Sequence, residues 1–375
     1  MKKIRSRIFS AGLIFMILAV FTACSADNGR NSGEKGITPA LAEQEISVTS
    51  VPSPTPLPTP LPTPAAEPTE GPATSPAGFY VDKTGLYDVN GNEFIMRGIN
   101  QEYTWFKGDN QRALEAIAAT GANCVRLVLA DGQKWPEDYV LYVKKLVEAC
   151  IKLKLVAILE VHDATGSDSA EDLNKAVDYW IKIRKALIGY EQYVILNIAN
   201  EWYGSWNSKA WADAYIAAIP KLREAGLSHT ILVDSGGWGQ YAKSVHDYGT
   251  GVFQADPIKN TMFAIHMYGT AGKNAETIKN NIDGVRDLEL CVTIGEFGYK
   301  HSDGDVDEEY LMSYCEETGV GYLGWSWKGN GGGVEYLDIA KEWDGSVLSQ
   351  DWGEVLINGK NGIRETSKPC SVFDE

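Results

Sequence analysis

From Phe94 onward the chain alternates, eight times over, a short apolar run rich in β-branched and aromatic residues with a longer stretch of helical spacing. The runs fall near Phe94 to Ile99, Cys124 to Leu129, Leu155 to Val161, Val194 to Ile198, Thr230 to Val233, Met262 to Met267, Cys291 to Ile294 and Val320 to Trp325. Short, continuous apolar runs suit strands buried on both faces, as parallel strands covered by helices are. Between the runs, Val140, Val143, Val147 and Cys150 share one helical face, and Leu173, Val177, Trp180 and Leu187 share another. Several of these stretches close on a glycine before the next run, as at Thr120-Gly121-Ala122 and Ala225-Gly226-Leu227. Eight strand-then-helix units in one domain predict an α/β fold, a (β/α)8 TIM barrel. A doubly wound sheet would want a Gly-rich phosphate loop after its first strand, and Arg97-Gly98-Ile99-Asn100-Gln101-Glu102 offers none. Ahead of the barrel, Gly78-Phe79-Tyr80-Val81 and Gly85-Leu86-Tyr87-Asp88 predict a short N-terminal hairpin, turned at Asn90-Gly91.

The barrel accounts for residues 78–375, and the preceding segment reads differently. Residues 1–23 open on Lys2, Lys3, Arg5 and Arg7 and run apolar from Ile8 through Val20. That run is short for a membrane span of about 20 residues and reads as an export signal. Small residues directly before Cys24 resemble a bacterial lipobox, so Cys24 is the expected lipidation site. Residues 24–77 form a polar and then Pro/Thr-rich linker. Residues 51–76 alone carry ten of the chain's fifteen prolines, favouring extended polyproline II over any packed core. The chain is therefore expected outside the cell, at the surface of a bacterial membrane, touching that membrane only through its lipid.

The formal charge is −16, and removing a leader with four basic residues leaves about −20. This makes nucleic acid and anionic substrates poor candidates, and no nucleic-acid partner is expected. Beyond Cys24 the cysteines are Cys124, Cys150, Cys291, Cys315 and Cys370, odd in number and without a CxxC or Cys/His cluster. Cys124, Cys150 and Cys291 fall on apolar stretches, where a thiol is a small hydrophobe; a Cys291–Cys315 bridge stays open.

In such barrels the chemistry sits at the carboxyl ends of the strands. Glu201 and Glu296 stand where the fourth and seventh apolar runs stop, and a buried strand has little reason to end in an uncompensated charge. From opposite sides of the barrel mouth they could approach to roughly 5 Å, the spacing of retaining glycosidases. Such a pair must differ in pKa. Arg126 and the phenol of Tyr268 are expected to hold Glu296 ionised, while a drier setting and its neighbour's charge keep Glu201 protonated. Asn200 stands beside Glu201 at the end of strand four, and His162, Trp238, His266, Trp325 and Trp327 occupy other strand ends.

Seven of the eleven tryptophans, at 105, 135, 202, 206, 238, 325 and 327, fall in or just after strand ends, where sugar rings would stack on them. Trp180, Trp211, Trp343 and Trp352 read as packing. Asp303, Asp305 and Asp307 alternate like the start of a calcium loop. The sixth position is Glu308 and the twelfth Tyr314, so they read instead as a solvated loop and a helix start. His162 and His266 are expected to contact sugar hydroxyls, with no metal and no cofactor.

The segments Phe94-Ile95-Met96-Arg97-Gly98-Ile99-Asn100, Val161-His162-Asp163-Ala164-Thr165-Gly166, Asn197-Ile198-Ala199-Asn200-Glu201-Trp202, Ile265-His266-Met267-Tyr268, Gly295-Glu296-Phe297-Gly298, Trp325-Ser326-Trp327-Lys328-Gly329-Asn330 and Arg364-Glu365-Thr366-Ser367 resemble glycoside hydrolase family 5, in particular its bacterial β-mannanases. The resemblance implies that Glu201 is the acid/base and Glu296 the nucleophile. It further implies that Arg126, His162, Asn200, His266, Tyr268 and Trp325 line the subsite at the cleaved bond; Trp105, Trp202 and Trp238 are the further substrate-binding candidates. The implied activity is endo-acting hydrolysis of β-1,4-mannan, glucomannan or galactomannan by a monomer. An endo-β-1,4-glucanase and a non-catalytic glycan-binding lipoprotein are the alternatives. Two departures fall near the expected cleft: Gln101-Glu102-Tyr103-Thr104-Trp105, where similar proteins have a His soon after strand one, and Gly269-Thr270, where they have Glu-Tyr. Both leave the two-carboxylate chemistry intact and bear on the subsites.

Overall fold

The computed structural model describes residues 77–374. The leader, Cys24 and the linker up to residue 76 lie outside the described residues. Eight parallel strands, β1 (Arg97–Gln101), β2 (Cys124–Leu129), β3 (Val156–Val161), β4 (Val194–Asn197), β5 (Ile231–Asp234), β6 (Thr261–Met267), β7 (Val292–Phe297) and β8 (Gly321–Gly324), close into a barrel in which β8 pairs with both β7 and β1. A helix follows each strand: α1 (Asn110–Ala119), α2 (Val140–Lys152), α3 (Ala170–Ile183), α4 (Ser208–Glu224), α5 (Lys243–Ala255), α6 (Ala275–Arg286), α7 (Glu308–Thr318) and α8 (Gly353–Asn358). The expected fold is the observed one.

Two apolar shells hold it. Along β2, Val125, Leu127 and Leu129 pack outward against the helices, while Cys124 and Arg126 face the barrel axis, as a period of two demands. On α3, Leu173, Ala176, Val177, Trp180 and Ile183 recur at the helical period and are buried against the barrel. Burial of Leu173, Val177 or Ile183 contributes about 1.5–3 kcal/mol each. Leu187 belongs to the same core but lies past α3, beyond a 3₁₀ turn at Arg184–Ala186.

Three boundaries depart from the sequence expectation. β1 begins at Arg97, because Phe94 and Met96 instead fill the lower end of the barrel with Phe79, Leu86, Cys124 and Met262. β8 stops at Gly324, leaving Trp325 beyond it. The hairpin pairs Tyr80–Asp82 with Gly85–Tyr87 and turns at Lys83-Thr84, where Lys83 takes φ 52°. Asn90-Gly91 makes the next reversal, bringing Glu93 against Tyr87; the Asp88 carboxylate accepts the amides of Asn90 and Asn92 and holds that turn. Cys124, Cys150, Cys291, Cys315 and Cys370 are all buried and free, so the Cys291–Cys315 bridge is not formed.

Candidate active site

Glu296 faces the barrel axis because β7 carries an extra residue. Ile265 pairs with Ile294 but His266 pairs with Glu296, and β8 shows the same shift, which leaves Gly295 as a bulge. Ile294 and Phe297 both pack toward the helices. A strict alternation would put Glu296 on that face too; the bulge turns it inward. Gly295 allows this because a Cβ there would stand 2.9 Å from His266 Nε2. Once inside, Glu296 is clamped: Arg126 Nη1 donates to Oε1 at 2.8 Å and the Tyr268 hydroxyl donates to Oε2 at 2.9 Å. Burial, with the charges of Glu296 and Glu201, holds the Tyr268 phenol well above its usual pKa, so it stays a donor.

Glu201 is held from the other direction. It lies four residues past β4 with φ 42°, a left-handed backbone fixed by two bonds: its N–H donates to Asp234 Oδ2 at 2.9 Å, and its carbonyl accepts from Gly166 at 2.9 Å. Its carboxylate is partly exposed and meets His266 Nδ1 at 2.7 Å. Burial works against a charge on His266, but the carboxylates of Glu296 and Asp234 and the bond to Glu201 overcome it and push its pKa up to about 9. Its Nε2 stands 3.5 Å from Asp234 Oδ2, in ion-pair range though not aligned as a hydrogen bond.

Beneath both carboxylates Arg126 ties the site together. It donates to Asn100 Oδ1 at 2.9 Å, to Asn197 Oδ1 at 2.7 and 3.0 Å, and to Asn200 Oδ1 at 2.7 Å. Asp234 and Glu160 lie 3.6 and 3.9 Å from its guanidinium. Burial opposes its charge, but Glu160, Glu296 and Asp234 together raise its pKa above the usual value. Glu160 also bonds His162 at 2.8 Å, which helps raise that ring's pKa against burial.

The result is a trough of about 650 Å³ at the carboxyl ends of the strands. Glu201, Glu296 and Tyr268 line it, together with Trp206, Gly237, Trp238 and Gln240 from the segments after β4 and β5, and Trp105, Phe106, His162, Trp325 and Asn330 from those after β1, β3 and β8. One ligand atom from each of Glu201, His266 and Glu296 lies within 4.8 Å of the others. These three could also hold a cation, yet Glu201 Oε1 and His266 Nδ1 already bond each other and Glu296 Oε2 accepts the Tyr268 hydroxyl.

The model of the Cellulase family, glycosyl hydrolase family 5, matches residues 87–331. The chain belongs to that family. It is 56% identical over 299 residues to a mannan endo-1,4-β-mannosidase of Salipaludibacillus agaradhaerens, covering 80% of this chain and 97% of that one. It is 42% identical to a mannan endo-1,4-β-mannosidase of Streptomyces lividans, covering 79% and 78%. The solved β-mannanase from Thermomonospora fusca superimposes with a TM-score of 0.75 at 42% identity, covering 79% of this chain and 99% of that one.

Within this family member the sequence-expected residues separate into three groups. Glu201, Glu296, His162, Asn200, Tyr268, Trp105, Trp238 and Trp325 reach the trough. Arg126 and His266 lie fully buried beneath it, so they hold the carboxylates rather than line the subsite. Trp202 does not reach it: its indole donates to the Ser169 carbonyl at 2.8 Å and packs on Tyr203 and Tyr215, because the left-handed turn at Glu201 sends the next side chain toward the helices. Trp327 is buried likewise, and Trp135 backs Trp105 edge-on. Asp303 accepts from the amides of Gly269 and Thr270, and Asp307 caps α7, so the acidic alternation is structural.

The two departures also separate. Gln101 is buried outside the trough with both amide atoms unpaired among the described residues, and the structure offers no physical account of it. Gly269 is required by close approach, since a Cβ would stand 2.4 Å from the Gly304 nitrogen. The residues that sequence reasoning missed are Asn100, Glu160, Asn197 and Asp234. Glu160 and Asn197 interrupt apolar runs, and Asn100 and Asp234 stand directly after them; those positions were the available signal.

Proposed function

We propose that the chain is an endo-acting β-1,4-mannanase cleaving mannan, glucomannan or galactomannan with retention of configuration. One observation carries the reading: oxygens of Glu201 and Glu296 meet within 4.8 Å across an open trough walled by indoles. An inverting pair stands about 6.5–9.5 Å apart to admit a water between them. The names of the Salipaludibacillus and Streptomyces relatives favour mannan.

In this reading Glu296, held between Arg126 and Tyr268, attacks the anomeric carbon. Glu201 protonates the departing oxygen, the glycosidic bond breaks, and a glycosyl ester forms on Glu296. Glu201, now a base, takes a proton from water, which displaces the sugar from Glu296. The proton comes from the His266–Glu201 pair, of which Glu201 is the member that reaches the trough.

Reducing-sugar release from mannan, glucomannan and carboxymethylcellulose, compared side by side, tests the substrate; faster release from carboxymethylcellulose would overturn mannan. Proton NMR of the first product tests the stereochemistry, with the β-anomer expected before mutarotation. We further infer display at the cell surface, a reading supported by the lipobox-like residues before Cys24. Radiolabelled palmitate should be incorporated into the protein and not into Cys24→Ser; absence of label from the unsubstituted protein would overturn the anchor.

A further inference from the structure

Among the acidic side chains that line the trough, Glu102 and Glu296 are buried, and Glu102 is outside the catalytic pair. It follows β1, is 2% exposed, and has two different oxygens. Oε1 accepts the Ser326 hydroxyl at 2.6 Å. Ser326 Oγ accepts from Asn330 Nδ2 at 3.0 Å, and Asn330 Oδ1 accepts the Trp325 indole N–H at 2.9 Å. Glu102 thus anchors a chain of bonds that ends on the indole beside the catalytic pair. Oε2 takes no hydrogen bond among the described residues, yet it is not sealed in, and the residue lines the trough. The space beside Oε2 exists because position 329 is glycine at φ 118°; a Cβ there would stand 2.7 Å from that oxygen.

Its place in the barrel says which part of a substrate it meets. Glu296 bonds the sugar whose linkage breaks, and Glu201 serves the departing portion. Trp206 and Trp238 follow β4 and β5 on the Glu201 side. β1 pairs with β8, so Glu102, Trp105 and Phe106 stand with Trp325 on the other. A carboxyl oxygen facing a neutral, hydroxyl-covered ligand accepts an O–H, and the charged form makes the stronger bond.

We propose that Glu102 is a substrate-binding residue whose free Oε2 accepts a hydroxyl of the retained portion of the glycan, so that binding tightens when Glu102 is ionised. The proposal rests on the glycan-hydrolase reading of the same trough. The charged groups facing Glu102 are Asp338 from the loop after β8, His162 past β3 and Glu296 on β7. Burial, reinforced by Asp338 and Glu296 and opposed by Ser326 and His162, raises its pKa to about 7.

The test is calorimetric binding of mannohexaose and cellohexaose to a Glu201→Gln protein, with and without Glu102→Gln, from about pH 6 to about pH 8. A group of pKa about 7 whose ionised form alone binds changes affinity about tenfold over that range. Mannohexaose affinity should rise by up to that factor in the single variant and stay flat when Glu102→Gln is added. The amide keeps an acceptor for Ser326 and so keeps Trp325 in place. An unchanged pH dependence in the double variant overturns the proposal. So does its loss in Ser326→Ala, which would mean that Glu102 acts only through Ser326 and Trp325. Binding of cellohexaose in place of mannohexaose, with the same Glu102-dependent response, overturns the mannan reading and supports the assignment. Binding of neither overturns both.

Discussion

The ends of β7 and β4 each present a carboxylate to the same trough, and they do so by opposite means. At β7 the side chain is fixed: a bulge at Gly295 aims Glu296 inward, and Arg126 and Tyr268 occupy one oxygen each. At β4 the backbone is fixed: Asp234 and Gly166 hold Glu201 in a left-handed turn, and the carboxyl is left with one partner, His266. The difference matches what a nucleophile and a proton donor need. A nucleophile must stay charged and aligned, so rigid cationic and hydroxyl donors serve it. An acid/base must exchange protons with substrate and water, so its side chain has to remain accessible while its position does not drift.

Substitutions break this comparison in graded steps. Glu296→Ala should lower kcat on mannan by at least about 10⁴-fold, because no bond to the anomeric carbon can form. Glu201→Gln should cost on the order of 10²–10⁴-fold on mannan. It should cost far less in the first step on a mannoside with a good leaving group, which departs without a proton. Equal losses on both substrates would end the assignment of roles.

His266 tests the link between the two ends. Its folded pKa of about 9 lies above the ordinary 6.5, so its contribution to stability is full below about pH 6.5 and is lost as pH rises through about 9. The shift corresponds to roughly 3 kcal/mol. In urea denaturation, the stability gap between the native protein and His266→Gln should narrow by about that amount between pH 6 and pH 10; a constant gap would show that the imidazole is neutral. Tyr268→Phe removes one hydrogen bond to a charged group, worth about 1.5–3 kcal/mol, and should lower kcat roughly 10- to 100-fold with KM little changed. Trp238→Ala, at a half-exposed indole on the Glu201 side, should raise KM a few-fold and leave kcat alone. A larger effect on kcat than Tyr268→Phe would mean that the trough wall, rather than the clamp on Glu296, aligns the reaction.

The strand-end position of both glutamates was legible because apolar runs announce buried strands, and a carboxylate at the end of one is conspicuous. Arg126 was legible for the same reason, as a charge inside β2. Its burial beneath the trough was not, since a strand's length does not reveal how deep each residue sits. Trp202 shows the limit most clearly: it follows Glu201 directly, yet a backbone turn with φ 42° separates the two by sending them to different sides of the chain. Periodicity assumes regular dihedrals, and here they are not regular. Asn197 and Asp234 were passed over because, singly, each is one polar residue in or just past an apolar run; only pairing around the barrel reveals that they meet at Arg126 and Glu201.

The local sequence alone determined the barrel, the two carboxylates and the aromatic bias of the strand ends. Burial on both faces and the periods of helix and strand are properties of consecutive residues. The tertiary structure decided which oxygens face which donors. It turned Glu296 inward through one extra residue, put His266 beneath Glu201, withdrew Trp202 into the core and left Glu102 with a free oxygen in the wall. Those outcomes depend on distances between strands far apart in the chain, and electrostatic and hydrogen-bond energies change within an ångström.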